Sequence, residues 1–575
     1  DAYVDHPAYG TAVIGRVLES YGYKVGVIPQ PDWRGTEDFT RLGRPRLFFG
    51  ITAGNTDSMI ANYTANKKPR QSDEYSAGDK AGSRPDRAAI VYANRVRQAF
   101  KDVPIVLGGM EASLRRLSHY DYWDNRVRRS ILLDARADVL VYGMGERQVV
   151  EIAQGLEQGR LIQELDIRGT VVARREKREI ENSITIPSFE ETAQDKNKFN
   201  EAFTIMYANM SPETAKTIVQ PHQEQFVLQR PPAWPFSPAE LDTIYDLPYL
   251  RGWHPIYAAQ GGVRGLETVR FSLTSHRGCC GECSFCALYA HQGRIIQSRS
   301  ARSIIREAEL LAQGSDFKGT ITDVGGPTAN LYATQCTLWK RANFCLKKKC
   351  LIPQKCAGLR LGYEQSIELY RQLRKIPRVK HVFIGSGVRY DLLTDRYAEK
   401  YLEEICAHHV SGMLKVAPEH SSDKVLRLMN KPAFSVYETF ARKFQTTVRR
   451  LKKDYYLINY FLSAHPGSTL RETLQLAVYL AQKKIRPQQI QDFIPSPMTL
   501  SAGIYWTGRD PWTSKEVYVP KTFRERKMQR ALIQYYQPAK RKLVYQALRL
   551  LGAVHLAAQL FGARASGKNK RRRRN

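Results

Sequence analysis

Cysteine is scarce in this chain, nine in 575 residues, too few for a disulfide-stapled scaffold. Long apolar runs are missing as well. None approaches the roughly 18–20 residues that a membrane span needs, and the longest, such as Ala553–Leu560, is broken by His555 and Gln559. No charged segment leads into an apolar one, so no signal peptide is expected. The first residue is Asp1 rather than Met, and a missing true start is expected. Solenoid repeats are absent. Acidic residues are in deficit, 56 Asp plus Glu against 88 Lys plus Arg. These absences exclude a secreted mini-protein and a membrane-spanning protein, and leave a soluble, cytoplasmic chain long enough for two to four domains.

The charge that is present is positive, formally +32. Lys568, Lys570 and Arg571 to Arg574 supply six of these charges in a tail that reads as disordered. A polyanion such as RNA would be attracted to this surface, although charge alone gives affinity without naming a partner.

Periodicity divides the chain. Residues 1–165 alternate helical and strand patterns, as in a Rossmann-like parallel α/β domain. Thr11–Tyr21 and Pro85–Phe100 are predicted helices, with Pro85 at a helix start. Lys24–Ile28, Leu47–Ile51, Val103–Leu107 and Ala137–Tyr142 are predicted strands. The last two run into Gly108-Gly109 and Gly143-Met144-Gly145-Glu146, where glycine lets backbone approach a ligand or simply turns tightly. Periodicity fades in 166–262 while prolines accumulate, which reads as an ordered connector. From 263 to 500 six strand candidates return: Thr268–Thr274, Thr320–Val324, His381–Gly385, Met413–Ala417, Tyr456–Leu462 and Gln489–Ile494. Helical patterns separate them. Six βα units imply a parallel barrel or partial barrel with its site at the carboxyl ends of the strands. Residues 501–575 form a mainly helical extension.

Eight of the nine cysteines fall between Cys279 and Cys356, and such clustering points to metal. Cys279, Cys283 and Cys286 have the spacing C-x3-C-x2-C on the loop after the first barrel strand. Thiolates are the usual ligands of iron–sulfur clusters, and three ligands on a four-iron cluster leave one iron open to bind a molecule. A zinc knuckle built on Cys283 and Cys286, completed by Cys280 or His276, is the competing reading. Cys336, Cys345, Cys350 and Cys356 form C-x8-C-x4-C-x5-C and suit zinc or an auxiliary cluster, or stand as unligated thiols.

The triad, with Phe285 before its last cysteine, resembles the radical S-adenosylmethionine (SAM) signature. That resemblance implies a [4Fe-4S] cluster whose open iron chelates SAM, whose reductive cleavage starts radical chemistry, and which is fed by an external electron donor. The strand-end turns agree in order. Asp323-Val324-Gly325-Gly326-Pro327 resembles the Gly-Gly turn that contacts SAM. Ser386-Gly387-Val388-Arg389 lies where ribose or carboxylate contacts are often placed. Ala464-His465-Pro466-Gly467 resembles a G-x-P-G turn with Ala464 in place of its first glycine.

Taken whole, the chain resembles the YgiQ family of radical SAM proteins. The resemblance rests on Asp1-Ala2-Tyr3-Val4-Asp5-His6-Pro7, Gln30-Pro31-Asp32-Trp33, Thr52-Ala53-Gly54-Asn55, Gly108–Arg116 and His119-Tyr120-Asp121-Tyr122-Trp123, followed by the barrel. It implies an extra strand before Asp1 and leaves the substrate unknown. The N-terminal domain is similar to cobalamin-binding domains, but the D-x-H-x-x-G motif is absent: Asp5 and His6 are adjacent. Axial ligation by histidine is therefore not expected, and cobalamin held without a protein ligand stays open. The knot His119–Trp123 and the segment His254–Tyr257 are expected to pack rather than react. Two other functions stay open, a non-catalytic zinc- and RNA-binding protein and an iron–sulfur redox sensor.

Overall fold

The protein is seen here as a computed structural model describing residues 1–176, 180–345 and 348–562. The basic tail, Lys568 to Arg574, lies outside the described residues. Among the described residues no helix is long and apolar enough to cross a membrane.

A seven-stranded mixed sheet organises the N-terminal half. Its order is Phe49–Ile51, Ile105–Leu107, Val139–Val141, Thr170–Arg174, Gln225–Gln229, Thr217–His222, Ser183–Thr185. The first three strands are parallel. They carry the β-branched and apolar residues that suit a buried sheet; Ile105 and Leu107 are fully buried. Helices Gly10–Ser20 and Glu146–Glu157 bury Val13, Val17 and Leu18 against Val149, Val150 and Ala153.

Three expectations need correction here. The segment 166–262 is more than a connector, because four of its strands extend the N-terminal sheet, three of the new pairings antiparallel. Lys24–Ile28 is not a strand. It has no ladder neighbour, and Val25 instead packs on the helix cluster around Val13 and Leu18. The helix expected from Pro85 begins at Ala88, because Arg87 takes a left-handed conformation (φ 52°) that interrupts it.

In the C-terminal half a strand forms at each of the six expected places, and the ladders among them are parallel. Ser272–Thr274 pairs with Asp323–Gly325, and Thr320–Ile321 with His381–Val382. Ile384 N–H then donates to His409 O (3.0 Å) and Val388 N–H to Lys415 O (3.1 Å), joining the next strand. Met413–Glu419, Tyr456–Ser463 and Gln489–Asp492 complete the series. The intervening helices are amphipathic: Ala301–Gln313 buries Ile304, Ala308, Leu311 and Ala312, with Ile304 and Leu311 each contributing roughly 1.5–3 kcal/mol. Thr469 and Glu472 form a capping box that starts Leu470–Gln482.

The C-terminal helices Phe523–Ile533 and Arg541–Leu550 bury Met528, Leu532, Val544 and Leu548 against Leu474, Ala477 and Leu480. The knot His119–Trp123 packs, as expected: Tyr120 stacks on Trp506 at 5.0 Å, and the Tyr122 hydroxyl accepts from buried Arg526 at 2.7 Å.

Candidate active site

The loop carrying Cys279, Cys283 and Cys286 leaves the first parallel strand under close backbone control. His276 and Arg277 pair with Ser298 and Gln297. Gly278 then turns at φ 85°, and a Cβ there would lie 2.1 Å from Ile295 O, so only glycine fits. Cys279 N–H donates to Gly293 O (3.1 Å) and Cys286 N–H to Cys283 O (2.9 Å). Ser284 pins the middle of the loop, its N–H donating to Met429 O (3.0 Å) and its hydroxyl to Leu428 O (2.6 Å).

All three thiols lie on this one short loop, free and partly buried. Burial pushes the Cys286 thiol up to about 12, and the neighbouring Cys283 and Cys279 push the same way. Burial raises Cys279 too, against the pull of the Arg389 guanidinium. Arg389 reaches over Gly281, where a Cβ would meet its Nη1 at 2.3 Å, and its Nη1 faces Cys283 Sγ at 3.7 Å. Asp391 holds it there at 2.7 Å. Lys431, buried beside the Tyr390 ring, adds a second cation that acts on Cys279. Burial raises the Glu419 carboxyl, with Lys431 opposing. Three thiols with buried cations around them fit an anionic cluster in donor chemistry and in charge. Among the described residues no group of three or more His, Cys, Asp or Glu side chains is placed to hold a metal ion, so binding a cluster would draw the thiols together.

The other expected site residues stand at the next two strand ends. Gly325 and Gly326 must be small: a Cβ on Gly325 would lie 2.3 Å from Ser386 Oγ, and one on Gly326 2.6 Å from His276 O and 2.8 Å from its ring. Ser386 is turned onto Asp323, to which its N–H (3.0 Å) and hydroxyl (3.2 Å) donate, alongside Gly385 N–H (2.7 Å). In the sequence His276 stands only as a candidate zinc ligand. Its Nδ1 lies 2.9 Å from Ser275 Oγ, while Nε2 is buried with no hydrogen-bond partner among the described residues. Lys431 carried no sequence signal, since it comes from a turn after the helix Asp423–Leu428.

Both halves of the molecule line one cleft of about 1480 Å³. Gly108, Gly109, Gly143, Met144 and Gly145 face it from the N-terminal sheet, and His276, Asp323, Gly325 and Gly326 from the other side. Glu146 and Arg277 lock the two together through a buried 2.6 Å ion pair, with Tyr245 OH 3.0 Å from Arg277 Nε. His6 offers no free ring nitrogen. Ala8 N–H donates to its Nδ1 (3.0 Å), and Arg251 Nη1 sits 3.0 Å from its Nε2.

With this geometry in place, similarity to known proteins defines the class. Residues 1–272 match the family described as Radical SAM N-terminal, and residues 488–560 match a domain of unknown function, DUF3362. The chain belongs to the UPF0313 family, in keeping with its YgiQ resemblance. It is 49% identical over 549 residues to the UPF0313 protein of Clostridium botulinum (strain 657 / Type Ba4), covering 95% of this chain and 86% of that one. It is 48% identical over 609 residues to the UPF0313 protein of Methanosarcina mazei, covering 100% and 97%. Among solved structures it is similar to the radical S-adenosylmethionine methyltransferase TsrM from Kitasatospora setae with cobalamin and a [4Fe-4S] cluster bound. The TM-score is 0.48 at 13% identity, covering 96% of this chain and 97% of that one.

Proposed function

We propose that this chain is a radical SAM enzyme in which Cys279, Cys283 and Cys286 hold a [4Fe-4S] cluster at the mouth of a partial (β/α)6 barrel. The observation that supports the reading is the buried Arg389 guanidinium 3.7 Å from Cys283 Sγ, on the short loop that carries all three thiols, while the tight Gly325-Gly326 turn lines the shared cleft. Bound together, cluster and SAM supply a 5′-deoxyadenosyl radical for hydrogen abstraction from a substrate. The chain's own residues do the rest. Arg389 and Lys431 balance the charge of the thiolates, and Gly325 and Gly326 let a ligand approach the backbone. The N-terminal sheet, read as Rossmann-like, closes the cleft from the other side and limits access of water to a reactive intermediate. His6, both ring nitrogens of which are engaged, does not supply an axial histidine for cobalamin.

The test is anaerobic reconstitution with iron and sulfide, followed by measurement of 5′-deoxyadenosine formed from SAM with a strong reductant. Product from the wild type and none from Cys279→Ala is expected. A protein that takes up zinc and no iron would overturn the reading.

A further inference from the structure

Three stretches of the C-terminal half carry charge of almost one sign. Residues 374–380 hold four cations in seven positions, residues 449–454 four cations and one carboxylate in six, and residues 483–486 three cations in four. Every one of these cations is exposed. Each stretch closes a helix and feeds a strand. Tyr363–Arg374 leads to His381–Val382, Phe434–Arg450 to Tyr456–Ser463, and Leu470–Gln482 to Gln489–Asp492.

The sheet sets the three stretches on one edge. The strands they feed belong to parallel ladders, so their entering ends share a side of the barrel. The cysteine loop leaves from the opposite side, after the strand Ser272–Thr274. Lys380 N–H donates to Gly319 O (2.8 Å), Ile384 N–H to His409 O (3.0 Å) and Tyr456 N–H to Gly412 O (3.1 Å), which ties the entering ends together. From the strand at His381 to the strand at Gln489 is three strand steps, roughly 15 Å. Ion pairing leaves most of this rim uncompensated. Arg374 reaches Glu404 at 3.6 Å and Arg450 reaches Glu403 at 3.1 Å; among the described residues no carboxylate ion-pairs with the other cations of the three stretches. Cations at a helix C-terminus complement its dipole, but that field fades beyond the last turn. Arg378, Lys380, Lys452, Lys453 and Arg486 lie past it. Set among these charges are Tyr456, 58% exposed, and its cross-strand partner Met413, 40% exposed.

We propose that this rim, on the side of the barrel away from the cysteine loop, binds single-stranded RNA. Backbone phosphates take the unpaired lysines and arginines, and the exposed Tyr456 ring gives an unstacked base a face to lie on. Duplex DNA keeps its bases stacked, whereas RNA loops splay them out. An acidic peptide would match the charge and leave the aromatic ring unused. Binding here leaves the shared cleft unobstructed. The inference needs no metal and no cofactor, so it stands apart from the radical reading.

Full-length protein is titrated into fluorescein-labelled oligouridylate over a series of salt concentrations, with fluorescence anisotropy as the readout. Arg378→Gln/Lys380→Gln/Lys452→Gln/Lys453→Gln should bind at least tenfold more weakly. Its slope of log affinity against log salt should be shallower by about 3, since each lost phosphate contact removes about 0.7. Lys68→Gln/Lys101→Gln/Arg160→Gln/Lys216→Gln removes the same charge from exposed positions of the N-terminal half and should bind as the wild type does. Tyr456→Ala should weaken binding about tenfold with the salt slope unchanged. Four results overturn the proposal: a wild type that does not bind, a rim variant that binds as the wild type does, an equal loss in the N-terminal variant, and full affinity in Tyr456→Ala. Displacement of the RNA by polyglutamate as readily as by unlabelled oligouridylate overturns it too, because the surface would then take any polyanion.

Discussion

One methyl group is enough to test the turn that borders the cysteine loop. At Gly326 it would press on the carbonyl and ring of His276, three residues before Cys279. The backbone must then shift just where a ligand is expected to lie against it, while none of the three thiols is touched. Gly326→Ala is expected to weaken SAM binding at least tenfold, which is about 1.4 kcal/mol, with iron content unchanged, as read by calorimetric titration of the reconstituted protein. Unaltered affinity would remove the Gly-Gly turn from the binding surface. The glycines and the cysteine triad were legible in the sequence because strand, turn and thiol spacing are local. Arg389 was legible only as a residue after the third strand. Its reach across to Cys283 comes from two loops meeting in space, and no local pattern encodes that. Lys431 and the orphaned His276 Nε2 were hidden for the same reason.

Between elements, the decisive contact is the buried pair of Glu146 and Arg277, 4% exposed on each side. Glu146 begins the helix after the Gly143–Gly145 turn, and Arg277 begins the cysteine loop, so the pair ties the N-terminal sheet to the site. Arg277→Met leaves a buried carboxylate without its cation and should cost about 3–5 kcal/mol. Glu146→Gln in the same chain should recover much of that loss, because the uncompensated charge is gone. Urea unfolding of the two single variants and the double variant measures the coupling; strictly additive losses would mean that the pair does not hold the interface. At this scale the helices were legible to within a few residues, since a 3.6-residue stripe survives over three turns. The strands between Thr170 and Gln229 were not. Their hairpin turns on Gln223-Glu224, with Gln223 at φ 50°, and carries none of the Asn-Gly or Asp-Gly chemistry that announces such a turn. Pro221 within the strand masked it further. Lys24–Ile28 failed the other way: its composition is that of a strand, but a strand also needs a neighbour.

Across the whole molecule, neutral histidine is buried where separate parts of the chain meet. His465, in the turn after the fifth parallel strand, is fully buried. Its Nδ1 lies 2.8 Å from Pro466 O, and its Nε2 lies 2.7 Å from Ser501 Oγ. Ser501 Oγ in turn lies 2.8 Å from Ser284 Oγ, so one imidazole links the helix Leu500–Thr507 to the cysteine loop. Burial holds its pKa down to about 3, with the nearby His420 adding to the effect against the bond to Pro466. In the unfolded chain the ring titrates near 6.5. The folded state therefore favours the neutral ring. Its contribution is complete above about pH 6.5 and is lost as pH falls toward 3, by roughly 1.4 kcal/mol for each pH unit. His465→Asn cannot titrate. Its deficit relative to the wild type should be widest at pH 7.5 and should shrink by about 2 kcal/mol at pH 5, measured by urea unfolding at both values. A deficit that stays constant would mean that the ring is solvated in the folded protein, and that the helix Leu500–Thr507 is not fastened to the cysteine loop through it.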